Sequence, residues 1–183
     1  DSSWDNGMRY YAAMLTHMDR HIGAILDLLA DPDGDPGTDD SVLEDTLIIF
    51  ASDNGGASNS APANFNINGH LARNKGHVFE GGIRVPLAFR WDGTIAPGRS
   101  SNRRVCITDM LPTFCELAGV EEPVGLDGVS FAPLLTGEGS LRERRWLAYE
   151  DHNNGAFDWA LIKDDYKLIQ ESGGALRLYQ LDD

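Results

Sequence analysis

Apolar and polar positions follow helical spacing near the start of the chain. Apolar side chains recur three and four positions apart, so they would share one face of a helix. The positions in this stripe are Tyr11, Met14, Leu15, Met18, Ile22, Ile25, Leu26 and Leu29. Because proline cannot continue a helix, Asp31-Pro32 marks its end. The pattern therefore predicts one long amphipathic helix before residue 31.

A short apolar run after this helix predicts a buried strand. Residues Asp31 to Asp40 are acidic and rich in glycine and proline, which is typical of an exposed loop. The run from Thr46 to Ser52 lacks apolar and polar alternation, so both faces of the strand should be buried. Such strands lie inside parallel sheets that carry helices on both sides. Helix, loop and buried strand together predict an α/β fold.

The long segment from Asp53 to Arg84 is the candidate functional region. It is rich in glycine, asparagine and serine and shows little periodicity. A loop of this length inside a compact domain is usually functional or disordered. The segment leaves the carboxyl end of the predicted inner strand, where open α/β sheets bind ligands, and this position favours function.

The second half of the chain predicts one more strand and helix, then a small antiparallel sheet. Leu87–Trp91 should form the strand, and a helix over Met110–Leu117 should begin after Asp109 and end at Gly119. Short runs separated by turn residues predict the sheet, and these runs are Trp146–Tyr149, Trp159–Lys163, Tyr166–Gln170 and Leu176–Leu181. We predict that residues 1–140 belong to an α/β domain and that residues 141–183 form a small, truncated antiparallel subdomain.

Four aromatic residues in these last runs allow two interpretations. Trp146, Trp159, Tyr166 and Tyr179 could form a platform that stacks on sugars, or they could fill the core of the sheet. Alternating aromatic residues in short strands are more often core residues, and we favour that interpretation.

Composition and charge exclude several classes of protein. The formal net charge of −14 argues against a nucleic-acid binder, which needs a basic face. The same charge means that an anionic substrate must be attracted by a local site rather than by the global field. No run of apolar residues approaches the length of a membrane span. The two cysteines, Cys106 and Cys115, are interpreted as buried thiols.

Asp53 and Asn54 follow the predicted inner strand and are candidate metal ligands. A carboxylate and a carboxamide side by side offer hard oxygen ligands that suit Ca²⁺ or Mg²⁺. The alternative is a turn stabilised by these side chains at the end of the strand. Ca²⁺ binds about six to eight oxygen atoms, which is more than two residues can supply. Further ligands must therefore come from elsewhere.

Lys75 is the candidate contact to an oxyanion. It precedes Gly76 and lies shortly before the stretch Glu80–Pro86, whose paired glycines indicate close backbone packing. An ammonium group among small residues can reach a charged ligand oxygen. The alternative is a solvated basic residue beside a tight turn.

These motifs, in this order and spacing, resemble the type I sulfatases, and the resemblance covers nearly the whole chain as the C-terminal part of such a protein. It implies the alkaline-phosphatase-like α/β fold, a sheet flanked by helices, with a small C-terminal antiparallel sheet. Besides Asp53-Asn54-Gly55 and the Lys75 region, weaker similarities lie at Tyr10–Ala13, Ile107–Thr113, Leu126–Ser130 and Leu178–Leu181.

The resemblance implies roles for the candidate residues. Asp53 and Asn54 would coordinate the active-site cation, usually Ca²⁺, and Lys75 would contact the sulfate group as a catalytic residue. His70 and His77 could line the substrate pocket, and His152 could approach its rim. His17 and His21, four residues apart on the first helix, are interpreted as helix-surface or core-edge residues rather than as a metal pair.

Two family features are missing from the chain. The family nucleophile is a formylglycine made within a Cys/Ser-x-Pro-x-Arg motif, and no such motif occurs here. The pair of aspartates that completes the metal site has no candidate before Asp53 either. We therefore expect that an N-terminal half is absent and that the isolated chain is inactive. The polypeptide that carries residues 1–183 in the cell is called the parent below.

The expected activity is cleavage of a sulfate ester in a sulfated small molecule or carbohydrate. Family resemblance also leads us to expect export to a periplasmic, secreted or lysosomal compartment. Two alternatives remain open at this point. The first is a hydrolase of phosphate monoesters or diesters from the same superfamily, and the second is a non-catalytic binding module that retains the fold.

Overall fold

The computed structural model describes residues 3–57, 65–153 and 155–181. The chain divides into two compact units, Asp1–Asp92 and Gly93–Asp183. The division at residue 140 expected from the sequence remains a prediction. Among the described residues, no helix is both long enough and apolar enough to cross a membrane.

The first unit begins with the predicted amphipathic helix, α1, which spans Asn6–Ala30. The Asp5 carboxylate accepts a hydrogen bond of 2.8 Å from the backbone N–H of Met8, which satisfies a free donor in the first turn. At the other end the N–H of Asp31 donates to the Asp27 carbonyl, and Pro32 follows immediately. The extent predicted from the apolar stripe is thus confirmed.

The loop after α1 is acidic and exposed, as predicted. Its backbone folds around its own carboxylates: the N–H of Asp33 donates to the Asp40 carboxylate at 3.0 Å, and that of Asp35 donates to Asp33 at 2.8 Å. Carboxylate oxygens of Asp31, Asp33 and Asp40 lie within 4.8 Å of one another.

The first unit also contains a two-stranded sheet. Strand β1 spans Ile48–Ala51 and pairs antiparallel with β2, Leu87–Arg90, through a register that sets Ala51 opposite Leu87. A short helix, α2, spans Glu80–Ile83 and precedes β2. The strand predicted at Leu87–Trp91 is therefore confirmed.

The prediction that β1 is an inner strand of a parallel sheet is wrong for the described residues. Its only strand partner among them is β2, the pairing is antiparallel, and Phe50 is 44% exposed. A continuous apolar run indicates that a strand prefers burial on both faces. It does not identify which strands pair with it or in which direction they run.

The second unit begins its regular structure with a 3₁₀ turn, Ile107–Asp109, and helix α3, Met110–Ala118. Helix α3 ends at Gly119, whose φ of 65° is left-handed, as expected for a glycine at a helix end. The predicted role of Asp109 as the side-chain cap of α3 is wrong, because its carboxylate makes no capping bond to that helix. A short helix, α4, follows at Ala132–Thr136.

Asp109 instead connects three segments of the second unit. Its side chain is 1% exposed and accepts hydrogen bonds of 2.8 Å from the backbone N–H groups of Cys106 and Val129. The guanidinium of Arg144, itself mostly buried, donates to the same carboxylate. The buried negative charge is thus compensated by one cation and two backbone donors.

The predicted antiparallel sheet is confirmed. Four strands run in chain order, each antiparallel to the next. They are β3 (Leu147–Asn153), β4 (Ala156–Lys163), β5 (Tyr166–Gln170) and β6 (Arg177–Gln180). In the turn between β4 and β5, Asp164 has a φ of 51°, a left-handed conformation that aspartate tolerates better than most residues.

The prediction that the aromatic residues fill the core of this sheet is wrong for three of the four. Trp146 is 50% exposed, Tyr166 50% and Tyr179 36%, while Trp159 is half-buried and donates its indole N–H to Gln170 at 2.9 Å. Strand register places Tyr179 opposite Lys167, the residue after Tyr166, so the two tyrosines point to opposite faces. The four residues therefore form neither a common core nor one stacking platform.

The buried positions of the sheet are filled by aliphatic residues and one lysine side chain. Leu147, Ala160, Ile162 and Ile169 are each at most 6% exposed, and Lys167 is 1% exposed. Both cysteines are free thiols, with Cys115 buried and Cys106 half-buried.

Candidate active site

The end of β1 is held against helix α2 by close backbone packing. The N–H of Gly55 donates to the Gly82 carbonyl at 2.8 Å. A Cβ atom at Gly55 would lie 1.7 Å from the carbonyl oxygen of Gly81, so no other residue fits at this position without moving the backbone. This contact fixes where the chain turns after Asp53 and Asn54.

The Asn68 side chain also holds this turn, a role that the sequence did not predict. Its amide oxygen accepts from the N–H of Gly56 at 2.8 Å, and its amide nitrogen donates to the carbonyls of Gly56 (3.3 Å) and Arg73 (3.1 Å). An asparagine in a polar loop gives no signal of such a role, because both partners depend on the fold of the loop.

A backbone hydrogen bond places Lys75 beside this turn. Its N–H donates to the Gly56 carbonyl at 3.1 Å, and Gly76 follows with a φ of 82°, which favours glycine. The Lys75 side chain is exposed and has no ion-pair or hydrogen-bond partner among the described residues. Its ammonium is therefore available to a ligand.

Asp53 and Asn54 present oxygen atoms suited to a hard cation. Asp53 is exposed, and its carboxylate has no hydrogen-bond or ion-pair partner among residues 3–57, 65–153 and 155–181. The amide nitrogen of half-buried Asn54 donates to the Gly55 carbonyl at 2.9 Å, and its amide oxygen accepts no hydrogen bond from the part of the chain that the structure describes. These two side chains thus fit Ca²⁺ or Mg²⁺ as part of a larger ligand set.

The structure therefore brings together the turn after β1 and Lys75, residues that are separated by about twenty positions in the chain. His70 is exposed and His77 is half-buried, both in the loop that carries Lys75. His152 belongs to the second unit, where its exposed ring packs on Phe157 with 4.6 Å between centroids. The substrate roles of these three histidines remain predictions.

His17 and His21 lie on the exposed surface of α1, as interpreted from the sequence. Their ring centroids are 6.0 Å apart.

Replacing Gly55 with alanine is expected to destabilise the parent by about 3 kcal/mol, because a methyl group would have to displace the Gly81 carbonyl. Gly23, in the middle of α1, is the matched control, since a Cβ atom added there would meet no atom within 4 Å. Gly23→Ala should raise stability by up to about 1 kcal/mol through helix propensity. Thermal unfolding of both variants checks this, and equal effects would contradict the tight contact at Gly55.

Replacing Asn68 with alanine is expected to cost about 2–3 kcal/mol, since three hydrogen bonds are lost and backbone groups remain unpaired. Asn66→Ala, two residues earlier at an exposed position without a side-chain hydrogen bond to another described residue, is the control and should be nearly neutral. Urea denaturation of the parent measures both. Two variants of equal stability would show that Asn68 does not hold the turn.

Comparison with known proteins identifies the family. Residues 1–120 match the family Sulfatase, and residues 69–182 match the family N-sulphoglucosamine sulphohydrolase, C-terminal. A sulfatase of Formosa agariphila is 38% identical over 138 residues, which are 73% of this chain and 24% of that protein. The chain therefore belongs to the sulfatase family.

Solved structures agree with the α/β, alkaline-phosphatase-like fold expected from the sequence. A crystal structure of Ps i-CgsB in complex with k-i-k-neocarrahexaose is similar with a TM-score of 0.79 and 29% identity, covering 97% of this chain and 37% of that one. The phosphonate monoester hydrolase of Agrobacterium radiobacter is similar with a TM-score of 0.66 and 25% identity, covering 93% and 34%. The chain thus spans about a quarter of the curated relative and about a third of each of these two structures.

Proposed function

We propose that the parent is a sulfuric ester hydrolase and that this chain supplies part of its cation site and one contact to the sulfate group. The observation that carries the proposal is the bond from the Lys75 N–H to the Gly56 carbonyl. It sets Lys75, whose ammonium has no partner among the described residues, beside the turn that carries Asp53 and Asn54. Membership of the sulfatase family supports the reaction class.

Asp53 and Asn54 would hold a divalent cation, with Ca²⁺ preferred and Mg²⁺ the alternative. Both offer oxygen atoms that have no partner among residues 3–57, 65–153 and 155–181, and the Gly55 and Asn68 contacts hold their backbone in place. When bound, the cation supplies positive charge next to the sulfuryl oxygens. The remaining ligands would come from outside residues 1–183.

The Lys75 ammonium would bind a sulfate oxygen and stabilise the charge that develops there during ester cleavage. The chain carries a net charge of −14, so a local cationic group is needed to attract an anionic ester. The exposed position of Lys75 leaves its ammonium accessible to such a substrate.

The nucleophile would lie outside this chain. No Cys/Ser-x-Pro-x-Arg motif for formylglycine occurs in residues 1–183, and Cys106 and Cys115 lie in other contexts. We therefore propose that residues 1–183 alone do not turn over sulfate esters.

The proposed substrate is a sulfated carbohydrate. The family that matches residues 69–182 is named after an N-sulfated amino sugar, and Ps i-CgsB was crystallised with a neocarrahexaose. His70, His77 and His152 are proposed substrate contacts, because imidazole can donate hydrogen bonds to sugar and sulfate oxygens. Export from the cytoplasm is part of the same proposal.

Release of sulfate by the purified parent tests the function. The parent should hydrolyse an aryl sulfate or a sulfated oligosaccharide, EDTA should abolish the activity, and Ca²⁺ should restore it better than Mg²⁺. Residues 1–183 alone should release none. Turnover by the isolated chain, or activity unaffected by EDTA, would contradict the proposal.

A second candidate function is hydrolysis of a phosphate or phosphonate ester, favoured by the similarity to the phosphonate monoester hydrolase. A cation and a lysine would neutralise phosphoryl oxygens as well as sulfuryl oxygens. The same assay separates the two, since faster turnover of an aryl phosphate or phosphonate than of the matched sulfate would favour this candidate. If the parent turns over none of these esters, the result would favour a non-catalytic binding module that retains the fold.

A further inference from the structure

Arg73, in the loop that carries Lys75, has an unusual backbone conformation. Its φ of 67° lies in the left-handed region, and it is one of two non-glycine residues with positive φ among those that the structure describes. This conformation is uncommon outside glycine, asparagine and aspartate, because Cβ then approaches the neighbouring backbone. Backbone strain of this kind occurs preferentially at binding and catalytic sites, where the surrounding structure holds it. The Arg73 side chain is therefore a candidate for a functional role.

The strained backbone of Arg73 is held in place by helix α2 and by Asn68. The N–H of Gly81 donates to the Ala72 carbonyl at 2.8 Å, and a Cβ atom at Gly81 would lie 2.1 Å from the Arg73 carbonyl oxygen. The amide nitrogen of Asn68 donates to that same oxygen at 3.1 Å and to the Gly56 carbonyl at 3.3 Å. One amide nitrogen thus connects Arg73 to the turn that follows β1, which carries the candidate cation ligands.

The guanidinium of Arg73 is supported by an aromatic ring. Its Cζ atom lies 5.5 Å from the centroid of the Phe79 ring, which is 8% exposed, whereas Arg73 itself is exposed. Stacking of this kind uses the face of the guanidinium and not the N–H donors in its plane. Those donors match the paired oxygen atoms of a sulfate or carboxylate group. A side chain restrained on an aromatic ring also loses less freedom when it binds such a group.

Arg73 and Lys75 form a positive region in an otherwise acidic chain. From Asn54 to Phe79 they are the only residues with a formal charge when histidine is counted as neutral, while the whole chain carries −14. Two like charges this close in one loop repel each other, and an anion beside them relieves the repulsion. The loop is therefore suited to a ligand that carries more than one anionic group.

We propose that Arg73 is a specificity-determining residue that binds a second anionic group of the substrate, a sulfate or a carboxylate near the ester that is cleaved. This role rests on the proposed function, in which Lys75 and the divalent cation bind the reacting sulfate group. Their charges already compensate a single sulfate ester, so a further cation on the same loop favours substrates with additional negative charge.

Three matched disaccharides test this role. The first carries one sulfate, the second carries an additional sulfate on the neighbouring sugar, and the third carries a carboxylate there instead. The parent should hydrolyse the second or the third with a kcat/KM about 10-fold higher than the first, which is the worth of one charge-assisted hydrogen bond. The better of the two identifies the group that Arg73 binds. Equal kcat/KM on all three would overturn the proposal.

Replacing Arg73 with glycine separates binding from structure, because glycine removes the side chain and adopts a left-handed φ without strain. The preference should disappear through a higher KM for the preferred disaccharide. Kinetics on the monosulfated disaccharide should stay within about twofold, and the melting temperature within about 2 °C. Arg73→Lys keeps the charge and should retain part of the preference. Arg20→Ala removes a cation from an exposed position of α1 and, as the control, should leave the preference unchanged.

Two results with these variants would overturn the proposal. A preference that survives in Arg73→Gly would show that Arg73 does not bind the second anionic group. A melting temperature lowered by more than about 5 °C, or a kcat reduced equally on all three disaccharides, would assign Arg73 a structural role instead.

Calorimetric titration of the same disaccharides gives a readout that does not require turnover. Arg73→Gly should raise the Kd of the preferred disaccharide about 10-fold and leave that of the monosulfated one unchanged. If the parent hydrolyses none of the three, the proposed function fails, whereas this difference in Kd would still support the contact between Arg73 and an anion. An unchanged Kd for the disaccharide with two anionic groups would overturn the role of Arg73 whether or not the parent is active.

Discussion

Replacing Lys75 with alanine in the parent is expected to lower kcat/KM for a sulfate ester by about 10²-fold or more, as loss of a charge contact to the transition state should. The ammonium has no partner among the described residues, so its removal leaves no unpaired buried group behind. The loss should therefore appear in catalysis and not in stability. Steady-state kinetics on one sulfate ester, together with a melting curve, measures both.

The distribution of this loss between kcat and KM defines the role of Lys75. A contact that strengthens in the transition state lowers kcat, whereas a contact of equal strength in substrate and transition state raises KM alone. Lys163→Ala is the matched control, because it removes the same charge from an exposed strand position in the second unit. A change within twofold for Lys75→Ala would exclude it from the sulfate site.

Replacing Asp109 with alanine is expected to destabilise the parent by about 3–5 kcal/mol, because it leaves the largely buried Arg144 guanidinium without its counter-charge. It also removes the acceptor for the backbone N–H groups of Cys106 and Val129. Urea denaturation followed by tryptophan fluorescence measures the loss. Asp127→Ala, at an exposed position without a side-chain partner among the described residues, is the control and should be nearly neutral.

A double-mutant cycle distinguishes the ion pair from the backbone contacts of Asp109. Arg144→Ala alone also leaves one buried charge, so both single variants should be strongly destabilised. Combining the two changes should cost clearly less than the sum of the single changes, because neither charge then remains unpaired. Strict additivity would show that Asp109 stabilises the unit through the Cys106 and Val129 contacts alone.

The sequence by itself determined the elements whose signal is local. The spacing of apolar residues and the positions of glycine, proline and turn residues predicted α1, α3 and the four antiparallel strands, because each of these signals depends on residues only a few positions apart. The order of motifs around Asp53, Asn54 and Lys75 indicated the sulfatase family before any geometry was known, since these motifs specify a site through residue type and spacing.

Tertiary structure decided every feature that depends on residues far apart in the chain. Three examples join separate segments of the chain. They are the pairing of β1 with β2, the close packing of Gly55 on the Gly81 carbonyl and the hydrogen bond from the Gly56 N–H to Asn68. Asp109 illustrates the difference most clearly: its sequence context predicts a helix cap, but its carboxylate binds Arg144 and two other segments. A buried charge takes the partners that compensate it best, and only the folded chain determines which groups reach it.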